Sequence, residues 1–226
     1  TATFGSISLT SSGDYDIFVA KLSTSGVWRW VVKAGGPEWG DNVQEIAVDS
    51  SGNPYITGTM RIYSDFGSTT LYSYGGNDIF VAKLSTSGSW LWAVNAGGDG
   101  DSESGNSLAV DSSGNAYVTG IFESNATFGS TSLTSSGSED IFVAKLSSSG
   151  SWLWAVKAGG TESDSGLGIA VDSSDNPYIT GMFADIATFG STNLTSTSSL
   201  LDFFIAKLSS SGTWQWAVMA GAPSTA

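Results

Sequence analysis

The side chains in this sequence that can ligate, attack or transfer protons are of few kinds. There is no His and no Cys. Ser-His-Asp and Cys nucleophiles, the usual zinc ligand sets, haem and iron–sulfur ligation and imidazole acid–base chemistry are therefore excluded. Carboxylates remain, with 21 Asp and Glu against 8 Lys and Arg, for a net charge of −13. One loop, Gly98-Asp99-Gly100-Asp101-Ser102-Glu103, places an acid at every second position. Alternating oxygen ligands between Gly turns suit a hard Ca²⁺ ion, which makes Asp99, Asp101 and Glu103 the candidate metal ligands. The ordinary alternative is a solvated acidic loop, and the equivalent stretch from Thr161 to Gly166 does not reproduce the spacing. A glycosidase would need two carboxyls about 5–10 Å apart across a cleft, and no pair is singled out. No catalytic residue and no cofactor other than that calcium is expected, and the chain reads as non-enzymatic.

Four further features invite a role. Lys21, Lys83, Lys145 and Lys207 are half of all the cations and occupy equivalent positions. Such a Lys is expected to bury its stem between layers and to pair with an acid such as Asp16 or Asp49 or their equivalents. The pairs Trp28/Trp30, Trp90/Trp92, Trp152/Trp154 and Trp214/Trp216 read as core aromatics, with sugar stacking as the alternative. Trp39 stands outside this pattern and is the candidate exposed contact residue. Asn125-Ala-Thr127 and Asn193-Leu-Thr195 are N-glycosylation sequons in Ser/Thr-rich connecting segments.

These residues are positioned by a repeat. Asp16-Ile-Phe-Val-Ala-Lys-Leu22 returns at Asp78 and Asp140 and, as Asp202-Phe-Phe-Ile-Ala-Lys-Leu208, a fourth time, in steps of 62. The Trp pairs keep the same step, Val48-Asp-Ser-Ser-Gly-Asn-Pro-Tyr55 returns from Val110 and Val171, and Phe-Gly-Ser begins at Phe4, Phe66, Phe128 and Phe189. Each unit reads as β. Asp16–Leu22 is apolar on both faces, as in a strand covered on both sides. Trp28, Trp30 and Val32 are expected on one face at period 2. Gly26 closes one hairpin and Asp49–Asn53 another. Phe66–Leu71 is expected to add a short edge strand. Four short strands per unit, with both faces apolar, match propeller blades; a β-solenoid is the alternative, though its coils are usually shorter.

Three motifs then resemble a family in its own order: Ala47-Val-Asp-Ser-Ser-Gly-Asn-Pro-Tyr-Ile-Thr-Gly58, Asp78-Ile-Phe-Val-Ala-Lys-Leu84 and Trp90-Leu-Trp-Ala-Val-Asn-Ala-Gly-Gly98. Together they look like the bacterial SBBP-type β-propeller repeat. The resemblance implies an extracellular or cell-surface module built of blades, and it brings no catalytic residues.

The expected fold is all-β, with propeller-type blades of four antiparallel strands, a 62-residue repeat and about 3.5 blades per chain. It reads as one repeat domain, 1–226, with a partial first unit 1–36 and units near 37–98, 99–160 and 161–226. The chain has four outer strand pairs and three inner hairpins. Four whole units would need 22 more residues, expected as a further hairpin. The ring or array is thus incomplete or completed between molecules, and open edges invite strand addition. The expected partners are a second copy or further blades of a longer chain, with a glycan as the alternative ligand of a lectin-like propeller. The strong negative charge argues against nucleic acid and anionic membranes. No apolar run is long enough for a spanning helix, so no membrane insertion is expected. Low charge and abundant Ser and Thr point to an extracellular or cell-surface location. The function expected is a structural scaffold or an adhesion or self-assembly unit, glycosylated if the sequons are used.

Overall fold

A computed structural model describes residues 1–37, 40–100, 102–197 and 201–221. The described residues form strands and turns, with no helix. Gly and Asn-rich turns separate short apolar runs, which is the pattern that selects antiparallel hairpins.

The first strands are β1 (Ala2–Phe4), β2 (Ile7–Leu9), β3 (Ile17–Leu22) and β4 (Trp28–Ala34). β1 pairs with β2 and β3 with β4. Next come β5 (Asn42–Val48), β6 (Pro54–Phe66), β7 (Thr69–Leu84) and β8 (Trp90–Gly98), hydrogen-bonded in that order. The same arrangement follows in β9 (Ser104–Val110), β10 (Ala116–Phe128), β11 (Thr131–Leu146) and β12 (Trp152–Ala158). It follows again in β13 (Ser165–Val171), β14 (Pro177–Phe183), β17 (Asp202–Leu208) and β18 (Trp214–Ala220). Here β15 (Ile186–Phe189) and β16 (Thr192–Thr195) form a separate small hairpin. Each inner hairpin pairs with the strands that follow it. Among the described residues β3 and β4 pair with each other alone, without such a hairpin.

The sheets stack face to face through three apolar layers. Ile17, Val19 and Ala34 meet Ile56, Phe66, Phe80 and Leu84 in the first. Ile79, Val81 and Ala96 meet Val118, Phe128, Phe142 and Leu146 in the second. Ile141, Val143 and Ala158 meet Ile179, Phe189, Phe204 and Leu208 in the third. Alternation along β7 and β11 thus sends one set of side chains to the preceding sheet and the other to the following one, which is why these strands are apolar on both faces.

Two sequence expectations are corrected. Phe66-Gly-Ser is not the start of an edge strand. Gly67, like Gly5, Gly129 and Gly190, takes a positive φ of 62–66° at the turn of a projecting hairpin. In the second and third sheets that hairpin prolongs the two middle strands, and its Phe returns onto the sheet's own Phe and Trp. Likewise, the paired Trp do not share a face. A register shift falls between Lys83 and Leu84, so Trp90 lies opposite Leu84 and Trp92 opposite Lys83. Neighbouring residues of β7 point to opposite faces, so the two Trp do as well. Trp152 accordingly donates back to the Asn95 carbonyl at 3.3 Å, while Trp154 donates forward to Ser210 at 3.2 Å.

Candidate functional site

The titratable side chains gather at two recurring places, the Asp-Ser-Ser turn of each sheet and the crossing from one sheet to the next. Each Asp-Ser-Ser turn is closed by its own Asp. Asp49 accepts from Ser51 N and Asn53 N at 3.0 and 2.9 Å, and from Asn53 Nδ2. Asp111 and Asp172 repeat the pattern. The repeat Lys then reaches this acid from the third strand, with Lys83–Asp49 at 3.3 Å, Lys145–Asp111 at 3.6 Å and Lys207–Asp172 at 3.3 Å. Each ammonium also sits 4.6–4.7 Å above a Tyr ring, of Tyr55, Tyr117 and Tyr178 respectively. Burial alone pushes Asp49 and Asp111 up, but hydrogen bonds from the turn and the Lys charge outweigh it and leave both carboxyls below their ordinary value. Asp172 is held lowest, at about 2, chiefly by the backbone N–H of Asn176. Lys21 is exposed, and no Asp-Ser-Ser turn precedes it in the sequence. Asp16 pairs instead with Lys33 at 3.4 Å, and Asp140 with Lys157 at 3.2 Å.

In a second set of acids only Glu103 is singled out by the sequence, and there as a candidate metal ligand. After the Ala-Gly-Gly step that ends each of β4, β8 and β12 the chain crosses to the next sheet, and an acid four or five residues beyond the second Gly is buried: Asp41, Glu103 and Asp164. Asp41 accepts from Gly36 N at 3.0 Å and from Ser64 Oγ at 2.6 Å. Asp164 accepts from Gly160 N at 2.6 Å and Ala184 N at 3.1 Å. Asp41 and Asp164 therefore tie the crossing chain to the sheet it enters. The signal available was the acid at a nearly constant offset from the paired glycines.

These acids lie near the Asp that opens the third strand. Asp140 Oδ1 and Asp164 Oδ2 both approach the position a Cβ on Gly159 would occupy, at 2.7 and 2.9 Å. Only Gly fits there, and Asp16, Asp78 and Asp202 fill the same space beside Gly35, Gly97 and Gly221. Desolvation lifts Asp41, and raises Asp78 and Asp164 to about 6. Asn95 stands by Asp78 where Lys33 and Lys157 serve the equivalent acids.

The residues singled out in the sequence are dispersed. Asp99 is exposed whereas Glu103 is buried; Asp101 lies outside the described residues, as does Trp39. Among the described residues, no group of three or more acidic side chains is arranged to hold a metal ion. Asn125 and Asn193 are exposed, but on strands of the projecting hairpins rather than in connecting loops. Their side-chain oxygens accept from Thr134 and Thr188 at 2.7 and 3.0 Å. Trp90, Trp152 and Trp214 meet Phe66, Phe128 and Phe189 edge-on at 5.2–5.3 Å. Trp92 and Trp154 meet Tyr55 and Tyr117 at 5.8 and 6.0 Å. Among the described residues, no helix is long and apolar enough to cross a membrane.

The clusters described so far recur from unit to unit: the Lys–Asp–Tyr group lies within one sheet, and Asp41 and Asp164 lie where the chain crosses to the next. Residues 92–120 match the SBBP beta-propeller repeat. The match begins at Trp92 in β8 and ends at Gly120 in β10, so it spans the crossing between two sheets together with Glu103. The resemblance read from the motifs is to this family. The chain is also 28% identical over 200 residues to an uncharacterized WD repeat-containing protein, L264, of Acanthamoeba polyphaga mimivirus. That similarity covers 74% of this chain and 14% of the viral protein, so the chain spans about one seventh of that relative's length.

Proposed function

We propose that the chain is a non-enzymatic propeller module that acts as a scaffold, built of four-stranded blades with a 62-residue repeat and about 3.5 blades in the length present. The observation that carries this reading is the equivalence of its polar clusters. Trp30, Trp92 and Trp154 donate from Nε1 to Thr86, Ser148 and Ser210 in the next sheet at 3.0–3.2 Å, always 56 residues ahead. Thr57, Thr119 and Thr180 donate to the Phe80, Phe142 and Phe204 carbonyls at 2.8–2.9 Å. The Trp bonds hold one unit to the next and the Thr bonds hold paired strands within a unit; side chains used identically in every unit support structural work rather than a single catalytic centre. The repeat named in the viral relative supports the same reading.

An extracellular or surface setting, with adhesion or assembly as its role and glycosylation at Asn125 and Asn193, fits the acidic, Ser/Thr-rich surface. The test is incubation of the purified chain with a panel of glycans and glycosides, with and without calcium, reading both binding and hydrolysis. The scaffold reading expects neither. Turnover would overturn it, and calcium-dependent glycan binding would replace it with the lectin-like alternative.

A further inference from the structure

Phe80, Phe142 and Phe204 face the preceding sheet and are 0–1% exposed, yet Phe18 at the same position is 53% exposed. Leu22 is exposed where Leu84, Leu146 and Leu208 are buried. At the other end the opposite face is open. Phe203 and Ile205 are 58% and 51% exposed, where Ile17, Val19, Ile79, Val81, Ile141 and Val143 are at most 3%. Val218 is exposed beside them. Grooves run over both faces, one lined by Phe4, Leu9, Tyr15 and Phe18, the other by Phe203, Ile205, Val218 and Met219.

We infer that the last sheet of one molecule stacks on the first sheet of a second copy, head to tail. This rests on the scaffold reading and deepens it by naming the surface and the partner. The three internal layers show what covers each face. The Ile17/Val19-type face is always met by the Phe80-type face of the next sheet. Phe203 and Ile205 present the first type, and Phe18 with Leu22 presents the second. The two ends are thus unlike and complementary, and the contact is a heterologous one that repeats from molecule to molecule. It is a contact of sheet faces, not of strand edges. The internal Trp bonds also predict its register. Trp216 is the equivalent of Trp154 and is 39% exposed, and Thr24 is the equivalent of Thr86. In the assembly Trp216 Nε1 donates to the Thr24 carbonyl of the second copy. Stacking would take Phe18 and Leu22 on one face and Phe203, Ile205 and Val218 on the other out of water.

The test is light scattering of the chain over a wide concentration range, with a head variant, Phe18→Asp, and a tail variant, Phe203→Asp with Ile205→Asp. These side chains are exposed, so far-UV circular dichroism should be unchanged; Leu22→Lys and Val218→Lys replace any variant that fails this control. The mass of the parent chain should rise above 23.3 kDa with concentration. Each variant alone should be monomeric, and a mixture of the two should stop at two chains, since one good head meets one good tail. A parent chain monomeric at every concentration overturns the inference and leaves the scaffold reading intact, whereas glycan turnover overturns only the latter. Association that survives in the head variant alone overturns head-to-tail order. Association that survives in both variants overturns a face-to-face contact.

Discussion

Ile62 is a β-branched residue at φ 62°, in the left-handed region where Ser124 and Asp185 stand in the other sheets. It marks the register shift between Arg61 and Tyr63, where the projecting hairpin leaves the sheet. An L side chain with a branched Cβ pays steric strain there, and Asn does not. Ile62→Asn should therefore stabilise the protein by about 1 kcal/mol, read as a higher urea midpoint at unchanged slope. Asp78 makes a second prediction at this scale. With its pKa raised from 3.8 to about 6, the folded protein holds a proton in that range that the unfolded chain releases. Stability is then fullest below pH 4 for this group and is lost as pH rises through 6. Asp164 acts in the same direction, while Asp49, Asp111 and Asp172 act oppositely, at the acid end. The melting temperature should fall by a few degrees between pH 5 and pH 7, and Asp78→Asn should shrink that fall. A melting temperature that rises over the interval would refute the assignment. None of these acids was legible as a buried group. Sequence position says that Asp78 begins a strand; only the packing of Gly97 against its carboxylate says that it is dry.

The strands were legible because period-2 apolar runs bounded by Gly and Ser turns are unambiguous over 6–7 residues. What failed was counting through a bulge. Trp28 and Trp30 look like one face until one residue is added to one side of the ladder, and no residue type announces that addition. Phe66–Leu71 reads as an edge strand unless Gly67 is given its positive φ, which turns the stretch into a hairpin. Strand and turn together explain the Lys positions, since β7, β11 and β17 carry each Lys past the Asp-Ser-Ser turn of the adjoining hairpin. Lys145→Met keeps the apolar stem but leaves Asp111, whose side chain is fully buried, without its cation. It should cost about 1–3 kcal/mol in a denaturant melt. Lys21→Met, at the equivalent but exposed position, should change stability by less than about 0.5 kcal/mol. Equal effects of the two would show that the Lys acts through its stem and not through the pair.

At the scale of the whole molecule, neighbouring sheets among the described residues meet through the apolar layers, through the Tyr and Trp bonds that cross them and through short backbone pairings such as Ala126 with Gly98. Tyr55 donates to Gly114 at 2.7 Å and Tyr117 to Asp175 at 3.1 Å, each into the adjacent sheet. The sequence revealed the repeat because the same junction has to be built several times from the same residues. It concealed the polarity of the stack, because each repeated strand carries both faces at once. That polarity shows only where one face lacks a neighbour, at Phe18 and at Phe203.

The forward-donated tryptophan bond has a kinetic meaning. A chain of units in which each holds the next behaves as a one-dimensional row, with opening free energies set by how many neighbours a unit keeps. The β5–β8 and β9–β12 sheets are flanked on both sides and should exchange their amide hydrogens slowest. The β3–β4 pair, held on one side only, should exchange fastest, and the β13–β18 sheet should come between. In such a row the ends breathe and the middle stays shut. Any further unit that stacks on Phe203 and Ile205 would then act at a distance, slowing exchange in strands it never touches.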